Sequence, residues 1–272
     1  MQKSILFKKA KVNFSDTGRG RVVVLLHGFL GSHKIWDKTT LNLSTSYRVI
    51  AIDLPGHGHS SWREDATYSP QGMAQDIAQV MAVHAKHAVA IVGMSLGGLT
   101  CLALAHAHPE LVPHLVLVDI TPGVTSKKAK AVLDFINGPQ SFASFDELFA
   151  RTKEHNPTRS ETSLRRGILH NAKQIEDGSW QWRYDRRGQT ETAGTAPGHE
   201  APRSPMWDMI SSWSKPLLMV RGGVSPVVDD EDIAELQKRC AQAEVVVVDG
   251  AGHSVQGDRP VELANLLRRF AQ

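Results

Sequence analysis

Short apolar runs alternate with longer amphipathic stretches along most of this chain. The runs are rich in Val, Leu and Ile, a composition typical of strands that are buried on both faces. Residues 68–85 instead have helical spacing, with Met73, Ile77, Val80 and Met81 on one face. Strand and helix thus alternate, which predicts a parallel sheet covered by helices on both faces. The predicted strands are 21–27, 48–54, 88–94, 114–120, 216–220 and 244–249, and further predicted helices are 95–107 and 260–270.

The alternation is interrupted by residues 121–214, which are more polar than the rest of the chain. Helical patterns occur there at 127–135 and 145–153, and the Gly-, Thr- and Pro-rich part at 183–203 predicts an irregular loop. Because the whole stretch stands between two strands of one predicted sheet, we expect it to form an inserted lid. The core of the fold would then consist of residues 1–120 and 215–272.

The composition and charge are those of an ordinary globular protein. Hydrophobic residues make up 41% of the 272 residues, and 31 Lys and Arg against 28 Asp and Glu leave a formal charge of +3. This balance gives no case for binding nucleic acid or an acidic membrane surface. No apolar run is long enough to span a bilayer, and the N-terminus lacks a signal-peptide pattern. We therefore expect a cytoplasmic protein in which Cys101 and Cys240 are reduced thiols without a metal or redox role.

The segment Gly93-Met94-Ser95-Leu96-Gly97 has the G-x-S-x-G pattern. The pattern alone is weak evidence, but here a predicted strand precedes it and a predicted helix follows. A sharp turn in that context presents the serine hydroxyl above the sheet, at a helix N-terminus where free N–H groups favour negative charge. We interpret Ser95 as a nucleophile, the competing interpretation being a closely packed turn without chemistry.

The residues after the first predicted buried strand complement this serine. Gly28 allows the backbone to turn so that an N–H group points toward the Ser95 oxygen. We assign the oxyanion hole to the N–H groups of Phe29 and Leu96. His27, at the end of the strand, is interpreted as a hydrogen-bonded structural residue.

His253 is the candidate general base among the 13 histidines. It follows the last predicted strand, and the chain order serine, acid, histidine places it last. Gly250 and Gly252 give its loop the freedom to bring the imidazole onto Ser95.

The glycine-rich loop 53–60 is a second motif that could suggest a ligand. It lacks the lysine of a phosphate-binding loop and the glycine spacing of a dinucleotide site, so we interpret it as a structural turn. No cysteine or carboxylate pattern accompanies its His57 and His59, and we expect neither a metal nor an organic cofactor.

Four motifs, HGFLGS, DLPGHGHS, GMSLGG and GAGH, occur in the order and spacing of the α/β-hydrolase superfamily. The resemblance covers essentially the whole chain outside 121–214. Within the superfamily, MAQDIA, LVLVDITP, RGGVSP and GAGHSVQGDRP resemble the YbfF-type esterases, which are small bacterial acyl-ester hydrolases with mitochondrial relatives. The resemblance implies an α/β-hydrolase fold, with a mostly parallel sheet, helices on both faces and an inserted lid.

The acid of the triad is the least obvious residue. Most of the superfamily carries it after the strand that ends at 220, where this chain has Ser225 and Pro226. Asp229 and Asp230 follow, but they have the pattern of an acidic first helical turn. Asp119 ends the strand beside the nucleophile strand, opens on the same crevice and needs a hydrogen-bonding partner in its apolar surroundings. The resemblance implies the same acid, Asp119, with Ser225 as an auxiliary that hydrogen-bonds nearby. The alternatives are a later acid, Asp229 or Asp230, or a structural role for Asp119 at the start of the lid.

Taken together, these residues predict a serine hydrolase that cleaves carboxylic esters of short to medium chain through an acyl-enzyme. The expected partner is a small-molecule ester, and the expected state is a monomer or homodimer. Two alternatives keep the scaffold: C–C bond hydrolysis or a proton-abstracting lyase reaction with the same triad, and a non-catalytic ligand receptor.

Two sets of lid residues could contribute to binding. Lid arginines could hold a substrate carboxylate, although solvated charge is the preferred interpretation, and tryptophans could line an apolar pocket or form the lid's own core. The arginines are Arg151, Arg165, Arg166 and Arg183, and the tryptophans are Trp180, Trp182, Trp207 and Trp213.

Overall fold

An eight-stranded sheet runs through the protein in a computed structural model that describes residues 2–7, 10–156, 159–187 and 204–272. Its strands are β1 (Gln2–Phe7), β2 (Ala10–Thr17), β3 (Val22–Leu26), β4 (Arg48–Ile52), β5 (Ala88–Met94), β6 (Leu115–Val118), β10 (Leu217–Gly222) and β11 (Glu244–Val248). The described helices are α1 (Asp37–Leu43), α2 (Pro70–His84), α3 (Leu96–Ala107), α4 (Lys130–Ile136), α5 (Phe145–Glu154), α6 (Glu161–Asn171), α7 (Met206–Ser211), α8 (Asp230–Arg239), α9 (Val255–Asp258) and α10 (Pro260–Phe270).

The strands are ordered β1-β2-β4-β3-β5-β6-β10-β11. From β4 to β11 all neighbours are parallel, while β1 and β2 form an antiparallel hairpin on one edge. Leu26, Gly93, Leu117 and Met219 stand side by side in register across β3, β5, β6 and β10. The carboxyl ends of these four strands therefore meet at one edge of the sheet, where an active site is expected in such folds.

Side chains of the central strands alternate between two hydrophobic cores. On β3, Val22, Val24 and Leu26 point into one core, and Val23 and Leu25 point into the other. A strand with both faces buried needs apolar residues at every position, which is why the central strands read as continuous apolar runs. The prediction of a mostly parallel sheet covered on both faces is confirmed.

Helix α2 shows how local signals set an element. The Ser69 side chain accepts a hydrogen bond from the Gly72 N–H and caps the helix, and Pro70 occupies its first position. The apolar face predicted from the spacing is fully buried against the sheet and α3. That face consists of Met73, Ile77, Val80 and Met81, each 0% exposed.

The lid has a small hydrophobic core of its own. A second sheet, with β9 (Trp180–Trp182) between β7 (Ser141–Phe142) and β8 (Ala172–Gln174), packs with α5 and α6. Trp182 belongs to this core, and Trp180 packs edge-on against Phe145 with 5.1 Å between ring centroids. The described buried members are Phe142, Leu148, Phe149, Leu164, Ile168, Ala172, Trp182 and Tyr184.

Helix α7 belongs by its packing to the main core. Met206, Trp207 and Ile210 of α7, together with Trp213, are buried in the same cluster as α2 and α3. The division of the chain at 121 and 214 stays a prediction, and the packing favours a lid that ends before α7. Residues 188–203, most of the predicted irregular loop, lie outside the described residues.

Several elements of the fold were not predicted from the pattern, and the β1–β2 hairpin and helix α6 are two of them. The β1–β2 hairpin was missed because its residues alternate between apolar and polar, with Val12 and Phe14 buried, and form no continuous run. Helix α6 was not predicted because it is mostly polar: of its residues, Leu164 and Ile168 are the buried ones. Over the described part of the chain, no helix has both the length and the apolar character to cross a bilayer.

Candidate active site

Ser95 occupies a strained turn between β5 and α3. Its backbone has φ 52° and ψ −121°, a conformation that non-glycine residues rarely adopt. The turn reverses the chain at the carboxyl end of β5 and places Ser95 before the first residue of α3, Leu96. The side chain faces a cavity, with the residue itself 9% exposed.

Glycines allow the turn to sit this close to the sheet. A Cβ atom on Gly97 would lie 2.4 Å from the Leu26 carbonyl oxygen, and one on Gly93 would lie 2.3 Å from the Gly97 carbonyl oxygen. Both distances are far below van der Waals contact with backbone atoms that cannot move aside. The glycines of G-x-S-x-G are therefore required by packing, in agreement with the predicted turn.

The loop after β3 approaches Ser95 closely. A Cβ atom on Gly28 would lie 3.0 Å from the Ser95 Cβ atom and 2.6 Å from the Met94 sulfur. Phe29 lines the same cavity as Ser95 and Leu96. Leu96 begins α3, so its N–H group has no acceptor within the helix and can serve a ligand. The two N–H groups assigned to an oxyanion hole thus belong to residues on the wall beside Ser95.

His253 and Asp119 form a hydrogen-bonded pair. The His253 Nδ1 atom lies 2.8 Å from the Asp119 Oδ2 atom. Asp119 is 0% exposed and also accepts hydrogen bonds from the Gly222 N–H, at 2.8 Å, and from the Ser225 hydroxyl. The His253 side chain is 19% exposed and lines the cavity that Ser95 lines. The structure thus brings together Ser95, His253 and Asp119, with Ser225 behind the acid.

The later aspartates have other partners. The Asp229 side chain accepts a hydrogen bond from the Asp232 N–H and caps α8. The Asp232 carboxylate in turn accepts a hydrogen bond from the Asp229 N–H. The Lys128 ammonium group lies 2.8 Å from a carboxylate oxygen of each of these two residues. Asp230 pairs with Arg221 at the surface. These contacts are those of an acidic first helical turn, whereas His253 pairs with Asp119.

His27 is held in its neutral form by its surroundings. Its Nε2 atom accepts a hydrogen bond from the Leu54 N–H at 2.9 Å, and its Nδ1 atom lies 2.7 Å from the Gly28 carbonyl oxygen. Burial, aided by the neighbouring His57, lowers the pKa of His27 to about 3. This histidine ties the loop after β3 to the loop after β4, which is a structural task.

The loop 53–60 is organised around a buried carboxylate. Asp53 accepts hydrogen bonds from the Asn13 amide, from the backbone and ring nitrogens of His33 and from the His59 N–H. Burial acts to raise the pKa of Asp53, but the hydrogen bonds from His33 outweigh it and hold that pKa below its ordinary value. The Asp53 carboxylate is thus satisfied within the fold, whereas the Nε2 atom of the buried His57 has no partner among the described residues. Among the described residues, no cluster of three or more His, Cys, Asp or Glu side chains is arranged to hold a metal.

The cavity at Ser95 has two limbs that meet at His253. The first, here called the apolar limb, has a volume of about 390 Å³ and contains Ser95 on its wall. The second has a volume of about 440 Å³ and is lined in part by α5 and α6; it is here called the polar limb after the charged and amide side chains on a wall that is otherwise mostly apolar. Leu99, Ile120, Val132, Leu133, Ile136 and Met206 line the apolar limb, while Asn156, Arg159, Ser163, Ser254, Gln256 and Asp258 are among the residues that line the polar limb.

Arg159 is the arginine that lines the polar limb, and no sequence signal distinguished it from the other lid arginines. Arg165 instead stacks on the Phe149 ring at 4.2 Å, and the Arg183 Nε atom donates to the Ala172 carbonyl oxygen. Arg151 likewise donates to a backbone carbonyl. None of the four lid arginines considered from the sequence lines this limb.

Comparisons with known proteins show the family to which this chain belongs. The family model for the alpha/beta hydrolase fold matches residues 21–260. Esterase Rv0045c of Mycobacterium tuberculosis is 40% identical over 253 residues, which cover 90% of this chain and 81% of that protein. A solved structure of that esterase has a TM-score of 0.82 at 36% identity and covers 99% of this chain and 91% of its own. Esterase YbfF of Escherichia coli is 25% identical, over 91% of this chain and 92% of that protein.

Proposed function

Because this chain belongs to the α/β-hydrolase fold family, we propose that it is a carboxylesterase-type serine hydrolase. Ser95 is the nucleophile, His253 the general base and acid, and Asp119 the residue that orients and stabilises the imidazole. The observation that carries the proposal is the His253–Asp119 pair, 2.8 Å apart, with His253 on the wall of the cavity that Ser95 also lines. The 40% identity to an esterase supports the same reaction class.

The proton positions follow from the hydrogen bonds. An ionised carboxylate can only accept, so the His253 Nδ1 atom donates to Asp119 and the Nε2 atom is left unprotonated. This tautomer can take the Ser95 hydroxyl proton as the oxygen attacks an ester carbonyl. The imidazolium then gives the proton to the departing alcohol. In the second step His253 takes a proton from water as the water attacks the acyl group, and it then gives that proton to the Ser95 oxygen as the acid is released.

Negative charge on the carbonyl oxygen develops beside Leu96 and Phe29. Their N–H groups are the donors that this charge would meet, and the Leu96 group adds the positive end of the α3 dipole. Donors fixed in place before the reaction stabilise the charge without reorganisation, which is a large term in acyl transfer. Ser225 supports the acid from behind through its hydroxyl, which bonds to Asp119.

The lid shapes the substrate range in this proposal. Val132, Leu133 and Ile136 of the lid close the apolar limb, which at about 390 Å³ has room for a short or medium acyl chain. We therefore propose soluble esters of such acids as the substrates. Rates with 4-nitrophenyl esters of increasing chain length would locate the optimum, and activity confined to long-chain or micellar esters would contradict this size limit.

The direct test of the proposal is the variant Ser95→Ala. We expect kcat on 4-nitrophenyl butyrate to fall by roughly 10⁴-fold or more, because the covalent step is lost while binding and the oxyanion donors remain. A fluorophosphonate probe should label the wild type and not the variant.

The matched control is Ser126→Ala, which alters another serine on the wall of the apolar limb. It should keep both activity and labelling. Full labelling of Ser95→Ala, or an inactive wild type that binds esters without turnover, would contradict the proposal.

A further inference from the structure

Both limbs of the cavity have mostly apolar walls, and they differ in the charged and amide side chains that line only the second. Apart from His253, the described residues that line the apolar limb are uncharged, and Ser95 lies among them. The polar limb includes His253 but not Ser95 on its wall. A group that becomes bonded to Ser95 fits the first limb, and a group that receives a proton from His253 and departs fits the second.

We propose that the polar limb binds the alcohol portion of the ester, and that Arg159 there recognises an anionic group, a carboxylate or a phosphate, on that alcohol. The inference rests on the proposed esterase function and adds a substrate class to it. Arg159 is a specificity-determining residue in this proposal and takes no part in the proton transfers.

Arg159 has the properties of a binding group without a protein counter-ion. It is half-buried, and its Nη2 atom donates a hydrogen bond to the Ser163 hydroxyl at 3.4 Å. Within the described residues, no carboxylate lies at ion-pairing distance from its guanidinium group. A partly desolvated guanidinium with free donors favours a carboxylate or phosphate, which it can hold with two parallel hydrogen bonds.

Gln256 gives independent evidence that the polar limb is built for a polar ligand. It is 2% exposed, its Nε2 atom donates to the Ser254 hydroxyl at 2.9 Å, and its Oε1 atom has no partner among the described residues. A buried acceptor left without a donor costs stability unless a ligand or water satisfies it. Since the side chain lines the limb, a hydroxyl or N–H group on the bound alcohol would satisfy it.

Positive charge continues outward from the limb. A cleft that shares Arg159, Ser163 and Gln256 with the polar limb leads to the surface beside Lys34, Lys38 and Arg166. Asp37 offsets Lys34 there, at 3.7 Å. The net charge of the rim still favours the approach of an anion.

The carboxylate on the wall of the polar limb is already engaged. Asp258 accepts a hydrogen bond from the Gly252 N–H at 3.0 Å, an interaction that steadies the loop before His253. Lys128, which also lines the limb, is neutralised by Asp229 and Asp232. Arg159 therefore remains the charge that this limb presents to a ligand.

The test uses butyrate esters that differ only in the charge on the alcohol. 3-(Butanoyloxy)benzoate and 3-(butanoyloxy)benzamide share the acyl group and nearly the same shape. We expect the wild type to prefer the anionic ester in kcat/KM, mainly through KM. In Arg159→Gln this preference should fall by roughly 10- to 100-fold, the range for a hydrogen bond to a charged group.

Matched variants and probes separate the possible explanations. Arg165→Gln removes the same charge from an exposed lid position outside both limbs and should leave the preference unchanged. Arg159→Lys should retain part of it. 3-(Butanoyloxy)phenyl phosphate in place of the benzoate distinguishes a phosphate-binding site from a carboxylate-binding one.

Each contrary outcome has a distinct meaning. If the wild type hydrolyses both butyrate esters equally, or Arg159→Gln lowers both rates equally, the inference is wrong while the esterase function stands. If instead phenyl hydrogen succinate is preferred over phenyl succinamate in an Arg159-dependent manner, the anion lies on the acyl side and the assignment of the limbs is overturned. If the folded wild type hydrolyses none of these esters, the proposed function itself fails.

Discussion

Replacing Asp119 by Asn removes the charge of the acid while keeping its shape. Asp119 has φ 51°, a left-handed conformation that Asn tolerates better than Ala, so the substitution adds little backbone strain. The Oδ1 atom accepts from the Gly222 N–H at 2.8 Å, and an Asn oxygen would remain there to keep that bond. The amide nitrogen would then take the position of Oδ2, which faces His253 and Ser225.

That exchange reverses the hydrogen bond to His253. An amide N–H can only donate, so the Nδ1 atom must become the acceptor and the proton moves to Nε2, where it blocks removal of the Ser95 proton. The imidazolium that forms during the reaction also loses its counter-charge. We expect kcat to fall by roughly 10²- to 10⁴-fold, which corresponds to about 3–5.5 kcal/mol of transition-state stabilisation.

The assay is kcat and KM for 4-nitrophenyl butyrate, with folding verified by circular dichroism. KM should change little, because Asp119 lies behind His253 and is 0% exposed. Asp229→Asn and Asp230→Asn are the controls, since Asn also caps helices well and Asp230 is at the surface. If Asp119→Asn retained near wild-type activity while either control lost it, the acid would lie after β10 and the mechanism proposed above would be wrong.

Three further predictions test the surroundings of the site. Ser225→Ala should lower kcat by roughly tenfold or less, since one hydrogen bond to the acid is worth about 1 kcal/mol; a loss as large as that of Asp119→Asn would refute an auxiliary role. The pKa of His27 is lowered to about 3 in the folded state, so His27 stays neutral there at a pH at which the unfolded chain binds a proton. Its contribution to the free energy of unfolding is therefore complete above the unfolded pKa and is lost as pH falls toward 3. Urea unfolding should therefore show a decline of about 1.4 kcal/mol per pH unit below about 6.5, weaker in His27→Gln; stability that is constant from pH 7 to pH 5 would contradict this. Gly97→Ala should lower the melting temperature and activity, because its Cβ would lie 2.4 Å from the Leu26 carbonyl oxygen, and an unchanged melting temperature would rule out that clash.

The sheet could be predicted from the sequence because burial on both faces leaves a strong local signal. The strand predicted at 88–94 and the helix at 260–270 match the structure at both ends, and the other predicted central strands agree to within two residues. The family resemblance is likewise confirmed by the matching family model. The antiparallel hairpin of β1 and β2 leaves no such signal, because its residues alternate between apolar and polar and form no continuous apolar run.

The residues gathered around Ser95 were accessible from the sequence for a similar reason. Each of Ser95, His253 and Asp119 follows a strand of the sheet, so topology alone brings them to one edge. The position of Arg159 is not fixed by a strand end in this way. This residue precedes the cap of α6 in a polar stretch, and its place on the polar limb depends on how the lid packs over the core. Long-range packing of this kind is not encoded in the periodicity of one segment.

The position of Asp119 has a consequence for the loop after β10. In the proposed mechanism the end of β6 supplies the acid, and the neighbouring strand end supplies donors to it through the Gly222 N–H and the Ser225 hydroxyl. Those two bonds and the one from His253 give a buried carboxylate three donors, and among the described residues no lysine or arginine forms an ion pair with it. Its charge is then available to the imidazolium on His253, which is where acyl transfer requires it.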